Sequence, residues 1–126
     1  MDRRYGLSPT EYELMEYFWQ QDAPKQFGEV LAWFNERKEK NWKKQTLNTY
    51  LNFLREADLL AINEEKPRKR YYAAVSREEH LHAWIRTVCR EAFGSSVVKL
   101  LDAYLGGGKF EKKTAKELKE YIKKHS

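Results

Sequence analysis

The segment KKQTLNTYLNFLREAD, residues 43–58, holds the most informative pattern in this chain of 126 residues. Its apolar residues recur at helical spacing, which predicts an amphipathic helix from Lys43 to about Asp58. On a helical wheel drawn at 100° per residue, an apolar side and a polar side separate. The apolar side holds Leu47, Tyr50, Leu51, Phe53, Leu54 and Ala57, with Thr46 at its edge. The polar side contains little acid and holds Lys44, Gln45, Asn48, Thr49, Asn52, Arg55 and Glu56.

Two shorter helices are predicted before this segment. Ser8-Pro9-Thr10-Glu11 combines a capping serine, a proline in the first turn and a glutamate three residues after the cap. That combination satisfies the free amides of a helix start, so a helix should run from about Pro9 to Gln20. Asp22-Ala23-Pro24 breaks the chain, and the apolar spacing from Phe27 to Phe34 predicts a second helix.

After residues 43–58 the spacing of the apolar residues changes from helical to alternating. Residues 60–62 and 71–75 are predicted to form two short strands, joined by a basic connection over residues 63–70. Three helices followed by a hairpin within about 75 residues is the layout of a winged helix-turn-helix domain. In that fold the third helix enters the major groove of DNA, and the hairpin, or wing, lies along the backbone.

The polar side of the third helix supplies side chains suited to this role. Asn and Gln pair with adenine, and Thr contacts base edges or the methyl group of thymine. The candidates for reading bases are therefore Gln45, Thr46, Asn48, Thr49 and Asn52. Cations on the helix and the wing would contact phosphates, and these are Lys43, Lys44, Arg55, Lys66, Arg68, Lys69 and Arg70. A polar helix face and a basic turn are also common on ordinary protein surfaces, so their joint placement carries the interpretation.

The C-terminal part of the chain predicts helices at about 76–93, 96–105 and 114–124, the first and last opening with capping patterns at residues 76–79 and 114–117. These helices are too few to enclose a core, so pairing with a second copy is expected. The alternative is that they fold back on the first domain in a monomer. The predicted dimer interface comprises Leu81, Trp84, Ile85, Val88, Val97, Leu100, Leu101, Tyr104, Leu105, Leu118, Tyr121 and Ile122.

The predicted fold is therefore mainly α with a small β-hairpin. A winged helix-turn-helix domain would occupy residues 1–75, and a helical dimerisation domain would occupy residues 76–126.

Composition bounds the class of protein. Lys and Arg total 24 against 19 Asp and Glu, a formal charge of +5, yet residues 1–76 carry only thirteen bases and twelve acids. The distribution matters more than the total, because cations gather on the third helix and the wing while acids gather on the first two helices. The longest apolar runs have five residues, at 30–34 and 71–75, far too few to span a bilayer, and no apolar stretch follows the basic N-terminus, so a cytoplasmic location without a membrane partner is expected.

No active site is evident in the sequence. The single cysteine, Cys89, lies on an apolar helical stripe, and Gly106-Gly107-Gly108 lacks the lysine and serine of a phosphate loop. His80 and His82 are about 200° apart on a helix and cannot share a metal. We therefore expect neither enzymatic activity nor a cofactor or metal site.

Three passages of the chain resemble the penicillinase-repressor family of bacterial transcriptional repressors. They are Leu7-Ser8-Pro9-Thr10-Glu11-Tyr12-Glu13-Leu14-Met15 with Trp19, the Trp42 to Leu54 recognition helix, and Arg70-Tyr71-Tyr72 followed by Val75-Ser76-Arg77-Glu78-Glu79. The likeness covers nearly the whole chain. It implies a dimeric repressor on a palindromic operator, released when a sensor-protease pathway cuts it or when copper displaces zinc.

The chain departs from the family pattern in three places. It has no cysteine after Cys89, which excludes the copper-sensing route. The Asn-Phe bond that is cut in β-lactam-responsive members corresponds here to Ala103-Tyr104. Lys44 and Gln45 stand where those members commonly have Pro-Lys, so the operator sequence need not be the same.

The rival hypothesis from another class is a winged-helix module that docks proteins and does not recognise a DNA sequence.

Overall fold

The computed structural model describes residues 4–64 and 68–126. Its elements, in chain order, are α1 (Pro9–Trp19), β1 (Lys25–Gln26), α2 (Phe27–Arg37), α3 (Lys44–Glu56), β2 (Leu60–Asn63), β3 (Arg70–Ala73), α4 (Arg77–Phe93), α5 (Val97–Leu105) and α6 (Lys112–Lys124). The mainly helical fold class with a small sheet is therefore confirmed. Contacts divide the chain into two compact units, the first ending at Trp84 and the second running from Ile85 to Ser126.

The core of the first unit joins its three leading helices to the sheet. Leu14 and Met15 of α1, Phe34 of α2, and Leu47 and Leu51 of α3 are completely buried. Tyr17 lies beside them, where burial and the nearby Glu29 carboxylate raise the pKa of its phenol. The cluster is closed on the sheet side by Leu59, Leu60 and Tyr71.

The sheet has three antiparallel strands in the order β1-β3-β2: the predicted hairpin is formed by β2 and β3, and β1 is an additional strand that the sequence did not predict. Lys25 and Gln26 of β1 lie opposite Tyr71 and Arg70 of β3. A strand of two residues has no measurable period, and for that reason the apolar pattern gave no sign of it. The strand β1 therefore ties the base of the wing to the segment between α1 and α2.

The first turns of α4 belong to the first compact unit, which extends to Trp84, while the functional boundary at 75/76 stays a prediction. The Trp84 ring packs edge-on against Tyr5, with ring centroids 5.4 Å apart. Nε2 of His80 lies 2.9 Å from the carbonyl oxygen of Tyr5. Tyr5 and Gly6 turn the chain back through positive φ angles of 55° and 85°, and this turn brings the N-terminal segment to α4. Trp84, predicted for the dimer surface, is thus half-buried inside the first unit.

The second unit contains part of α4 together with α5 and α6. Ser96 caps α5, accepting a hydrogen bond from the Lys99 amide, and Gly106 ends that helix in a left-handed conformation. The predicted cap at Thr114 is wrong: α6 begins earlier, with Glu111 as its N-cap, because Lys112 and Lys113 favour helix and extend it. No residue from 85 to 126, all of which are described, is buried. Among the described residues, no helix is long and apolar enough to span a bilayer.

Candidate nucleic-acid interface

The helix α3 presents its polar side to solvent because its apolar side is anchored in the core. Leu47, Leu51 and Leu54 are completely buried. These three positions fix the rotation of the helix about its own axis. As a result, all the polar residues predicted to read bases or contact phosphates from α3 are exposed: Lys44, Gln45, Thr46, Asn48, Thr49, Asn52 and Arg55. Glu56 is the one acid that shares this exposed arc within the helix.

The start of α3 is held by an amide side chain from the preceding helix. Asn35 of α2 donates from Nδ2 to the Trp42 carbonyl at 3.0 Å and accepts from the Trp42 amide at 2.7 Å. The Trp42 ring stacks on Phe34 in the core, with centroids 5.1 Å apart, and packs against Tyr50 of α3. This arrangement fixes the turn between α2 and α3 and so sets the position at which α3 begins.

The same turn is tied to α1 by an ion pair. Lys40 Nζ lies 2.9 Å from Glu13 Oε1, and both residues are half-buried. Glu39 and Asn41 on either side of Lys40 have positive φ angles, near 50°, so the chain reverses direction tightly there. The helix-turn-helix geometry is therefore determined by particular contacts on both sides of the turn.

The N-terminus of α3 differs from those of α1 and α4. Ser8 caps α1 and Ser76 caps α4, each paired with a glutamate three residues later. At α3 the N-cap is Lys43, which forms no side-chain cap within the described part of the chain, and the first turn contains no acid. The first backbone amides of α3 remain available there, at the positive end of the helix dipole. Lys43 and Lys44 add two exposed cations, and this combination suits a phosphate group.

One predicted base reader has its hydroxyl already engaged. Thr49 Oγ1 donates to the Gln45 carbonyl, one turn back along α3, at 3.0 Å. The hydroxyl hydrogen is used inside the helix, and a ligand would meet the methyl group and the remaining lone pairs of the hydroxyl oxygen. Asn48 and Asn52 form no hydrogen bond to other described residues, so both amides are open to a base edge.

Phe53 corrects the simple division of α3 into an apolar and a polar side. The wheel assigns this residue to the apolar arc, but the structure leaves it 51% exposed. It lies at the border of that arc, beyond the reach of the core that buries Leu47, Leu51 and Leu54. The exposed face of α3 therefore contains a large apolar side chain that the sequence pattern did not predict.

The wing contributes cations of its own. Arg68 and Lys69 are exposed, and Arg70 is half-buried at the start of β3, opposite Asn63. Lys66, also predicted to contact phosphate, lies outside the described residues. An open depression of about 710 Å³ separates the C-terminal half of α3 from β2 and is lined by Asn52, Arg55, Glu56, Leu60, Ala61, Ile62 and Glu64.

The cations of this surface form no ion pairs within the described part of the chain, so they are available to an outside partner. Ion pairs among the described residues join Lys40 to Glu13 and Arg90 to Glu91. The predicted phosphate-contacting residues in the described part of the chain make none: Lys43, Lys44, Arg55, Arg68, Lys69 and Arg70. A polyanion meeting this surface would not have to break internal salt bridges.

The residues predicted for the dimer interface are all half-buried or exposed within one copy. Seven predicted interface residues are half-buried, namely Leu81 and Trp84 in the first unit and Val88, Leu100, Leu101, Leu105 and Leu118 in the second. Ile85, Val97, Tyr104, Tyr121 and Ile122 are exposed. Ala103 and Tyr104, the predicted cleavage site, are both exposed near the end of α5. No cluster of metal-binding side chains occurs among the described residues.

Three helices, an anchored turn, an acid-poor exposed face on the third helix and a basic wing define a winged helix-turn-helix protein of the DNA-binding class. The chain belongs to the Penicillinase repressor family, whose family model matches residues 7–124. The predicted family is thus confirmed, and the protein is a DNA-binding transcriptional repressor from a family of regulators and not of enzymes. No curated protein matches the chain.

Proposed function

We propose that the protein represses transcription as a homodimer, with the α3 helix of each copy reading one half of a palindromic operator in the cytoplasm. The observation that carries this proposal is the exposed face of α3. It combines two open amides, an uncapped helix N-terminus and unpaired cations on a helix whose rotation is fixed by a buried leucine stripe. Gln45, Thr46, Asn48, Thr49 and Asn52 would contact bases, while the lysines and arginines of α3 and the wing would contact phosphates.

Dimerisation is supported by the second unit. It contains three helical segments with apolar stripes and no buried residue, so its apolar surface lacks cover within one copy. Large exposed apolar patches mark protein interfaces, and two-fold pairing matches the symmetry of a palindromic site. The proposed functional division is residues 1–75 for DNA and 76–126 for pairing, and the uncovered apolar surface that supports pairing lies in residues 85–126.

Selection of bound duplexes from a random pool, at physiological salt, tests the proposal. We expect a palindromic sequence to be enriched by the full chain. Asn48→Ala should weaken binding to that sequence by about 1–3 kcal/mol and change binding to random DNA little, because one bidentate base contact is lost. Equal losses on both duplexes would remove Asn48 from base reading. Failure to enrich any sequence would favour the rival function, a winged-helix module that docks a protein through the same surface.

Inactivation by a sensor-protease pathway is the regulatory part of the proposal. The Ala103-Tyr104 bond lies in the last turn of α5, next to Gly106 and Gly107, whose positive φ angles end the helix. A terminal turn opens more readily than a helix centre, so a protease could reach this bond. Cleavage would separate α6 from α5. Immunoblots of cells treated with a β-lactam should show a shortened chain, and a chain of unchanged length during induction would refute this route.

A further inference from the structure

Phe53 is an exception among the apolar residues of α3. Leu47, Leu51 and Leu54 are completely buried, whereas Phe53 is 51% exposed. An exposed phenylalanine on a face of amides and cations gains little burial free energy from folding, because much of its ring stays in water. Such a side chain contributes most when a partner covers it.

Thr49 presents a methyl group beside Phe53. The two residues are four apart on α3, and residues at that spacing lie next to each other on a helix. Because Thr49 Oγ1 donates to the Gln45 carbonyl at 3.0 Å, its hydroxyl is directed back to the helix. Its remaining branch, the methyl group, is therefore exposed to solvent together with the Phe53 ring.

Thr46 continues this strip towards the start of α3. It lies three residues before Thr49 and seven before Phe53, so the three side chains form one row along the helix. All three are exposed, and the row borders the amides of Asn48 and Asn52 on the same helix surface. The exposed face of α3 thus has two parts, a hydrogen-bonding part and a narrow apolar strip.

We propose that the strip formed by Thr46, Thr49 and Phe53 reads the C5 methyl groups of thymines in the operator. The thymine methyl is the apolar group that base pairs display in the major groove, and threonine methyls and phenylalanine are among the groups that contact it. The inference rests on the proposed function, since α3 must lie in the major groove. It adds direct recognition of thymine. The amides of Asn and Gln pair with adenine, so they recognise thymine only through its partner base.

The test uses the full chain and the duplex enriched in the selection experiment above. Each thymine is replaced in turn by deoxyuridine, which removes the methyl group and keeps every hydrogen-bonding atom. At one or two positions in each half-site we expect an affinity loss of about fourfold, the factor expected for one buried methyl group. Phe53→Ala or Thr49→Ser should lower affinity for the thymine duplex by a similar factor and remove the penalty for uracil at its own position.

Thr49→Ser keeps the hydroxyl and deletes one methyl, so it tests the proposal even if Phe53→Ala lowers the melting temperature. Wild-type protein that binds every uracil duplex as tightly as the thymine duplex would overturn the inference. So would variants that retain the full uracil penalty at all positions, or a Phe53→Ala chain that no longer dimerises, since the ring would then contact protein. If selection enriches no sequence at all, the proposed function has failed before this question arises.

Discussion

At the residue scale, Lys43 shows a conflict between stability and binding. Its backbone has the extended conformation of an N-cap, with φ −87° and ψ 162°, yet its side chain does not cap α3. Aspartate or serine at this position would bond to the first amides and stabilise the helix. A lysine instead leaves the amides open and places a positive charge beside the positive helix end. That choice weakens the helix and favours a bound phosphate.

Lys43→Asp should therefore stabilise the protein and impair its function. We expect the free energy of unfolding to rise by about 1 kcal/mol, the usual contribution of an N-cap. DNA affinity should fall on specific and random duplexes alike, because the new carboxylate occupies the amides and repels phosphate. Denaturant titration and DNA titration of the same preparation measure the two effects.

Glu111→Asp is the matched control for this change. Glu111 is the N-cap of α6, with φ −64° and ψ 153°, and it also forms no side-chain cap among the described residues. The shorter carboxylate should cap α6 and stabilise it without altering net charge or DNA affinity. Wild-type DNA affinity in the Lys43→Asp variant would show that the start of α3 does not meet a phosphate.

The sequence predicts the exposed polar residues of α3 well, because three leucines at helical spacing determine which side is buried. It cannot predict what lies at the border of that side. Phe53 is apolar and falls in the apolar arc, but no core residue reaches it, and only the packed structure reveals this. The bond from Thr49 to Gln45 is likewise local to α3, and a threonine can also direct its hydroxyl to solvent.

At the scale of elements, the turn between α2 and α3 sets the angle at which α3 meets DNA. Its anchor, the pair of hydrogen bonds between Asn35 and Trp42, has no signature in hydrophobic periodicity. Asn35 is one of several polar residues on a predicted helix, and nothing in its sequence context distinguishes it. Sequence reasoning therefore found the helices but missed the residue that positions one against the other.

Asn35→Ala should reduce stability and DNA affinity together. Loss of two partly buried hydrogen bonds should cost about 1–3 kcal/mol of folding free energy. DNA affinity should fall even at temperatures where the variant is fully folded, because the turn that positions the start of α3 is no longer fixed. Gln21→Ala, which removes one side-chain bond to the Tyr17 carbonyl and leaves both bonds between Asn35 and Trp42 in place, provides a comparison. Equal affinity in the two variants would show that the turn does not position α3.

The wing makes a separate prediction about salt. Lys69 is exposed immediately before β3 and has no ion pair among the described residues. Lys69→Ala should weaken binding to all duplexes and reduce the slope of log affinity against log salt by about 0.9 for each wing that contacts a phosphate. Lys119→Ala removes the same charge from α6 and should leave that slope unchanged. An unchanged slope in Lys69→Ala would move the wing away from the DNA backbone.

At the scale of the whole molecule, the net charge of +5 gives little guidance. The excess lies mostly in residues 77–126, with eleven bases and seven acids, outside the proposed DNA reader. What distinguishes the first unit is the arrangement of its charges, and the sequence could indicate that arrangement once the helices were assigned. The point of division, at Trp84 and Ile85, could not be found this way. It depends on Tyr5, which is far from Trp84 in the sequence and close to it in space.

The second unit permits a direct test of dimerisation. Tyr104 is 76% exposed in one copy, so replacing it should affect the folding of that copy little. Tyr104→Asp should nevertheless shift the sedimentation coefficient towards the monomer, because an unpaired carboxylate buried at an interface is strongly unfavourable. Operator affinity should fall as well, since two linked readers bind more tightly than one. Ala103→Asp adds the same charge one residue away, about 100° around α5, and should remain dimeric. A dimer that survives Tyr104→Asp would place the interface on another surface and leave the exposed stripe of α5 without its proposed role.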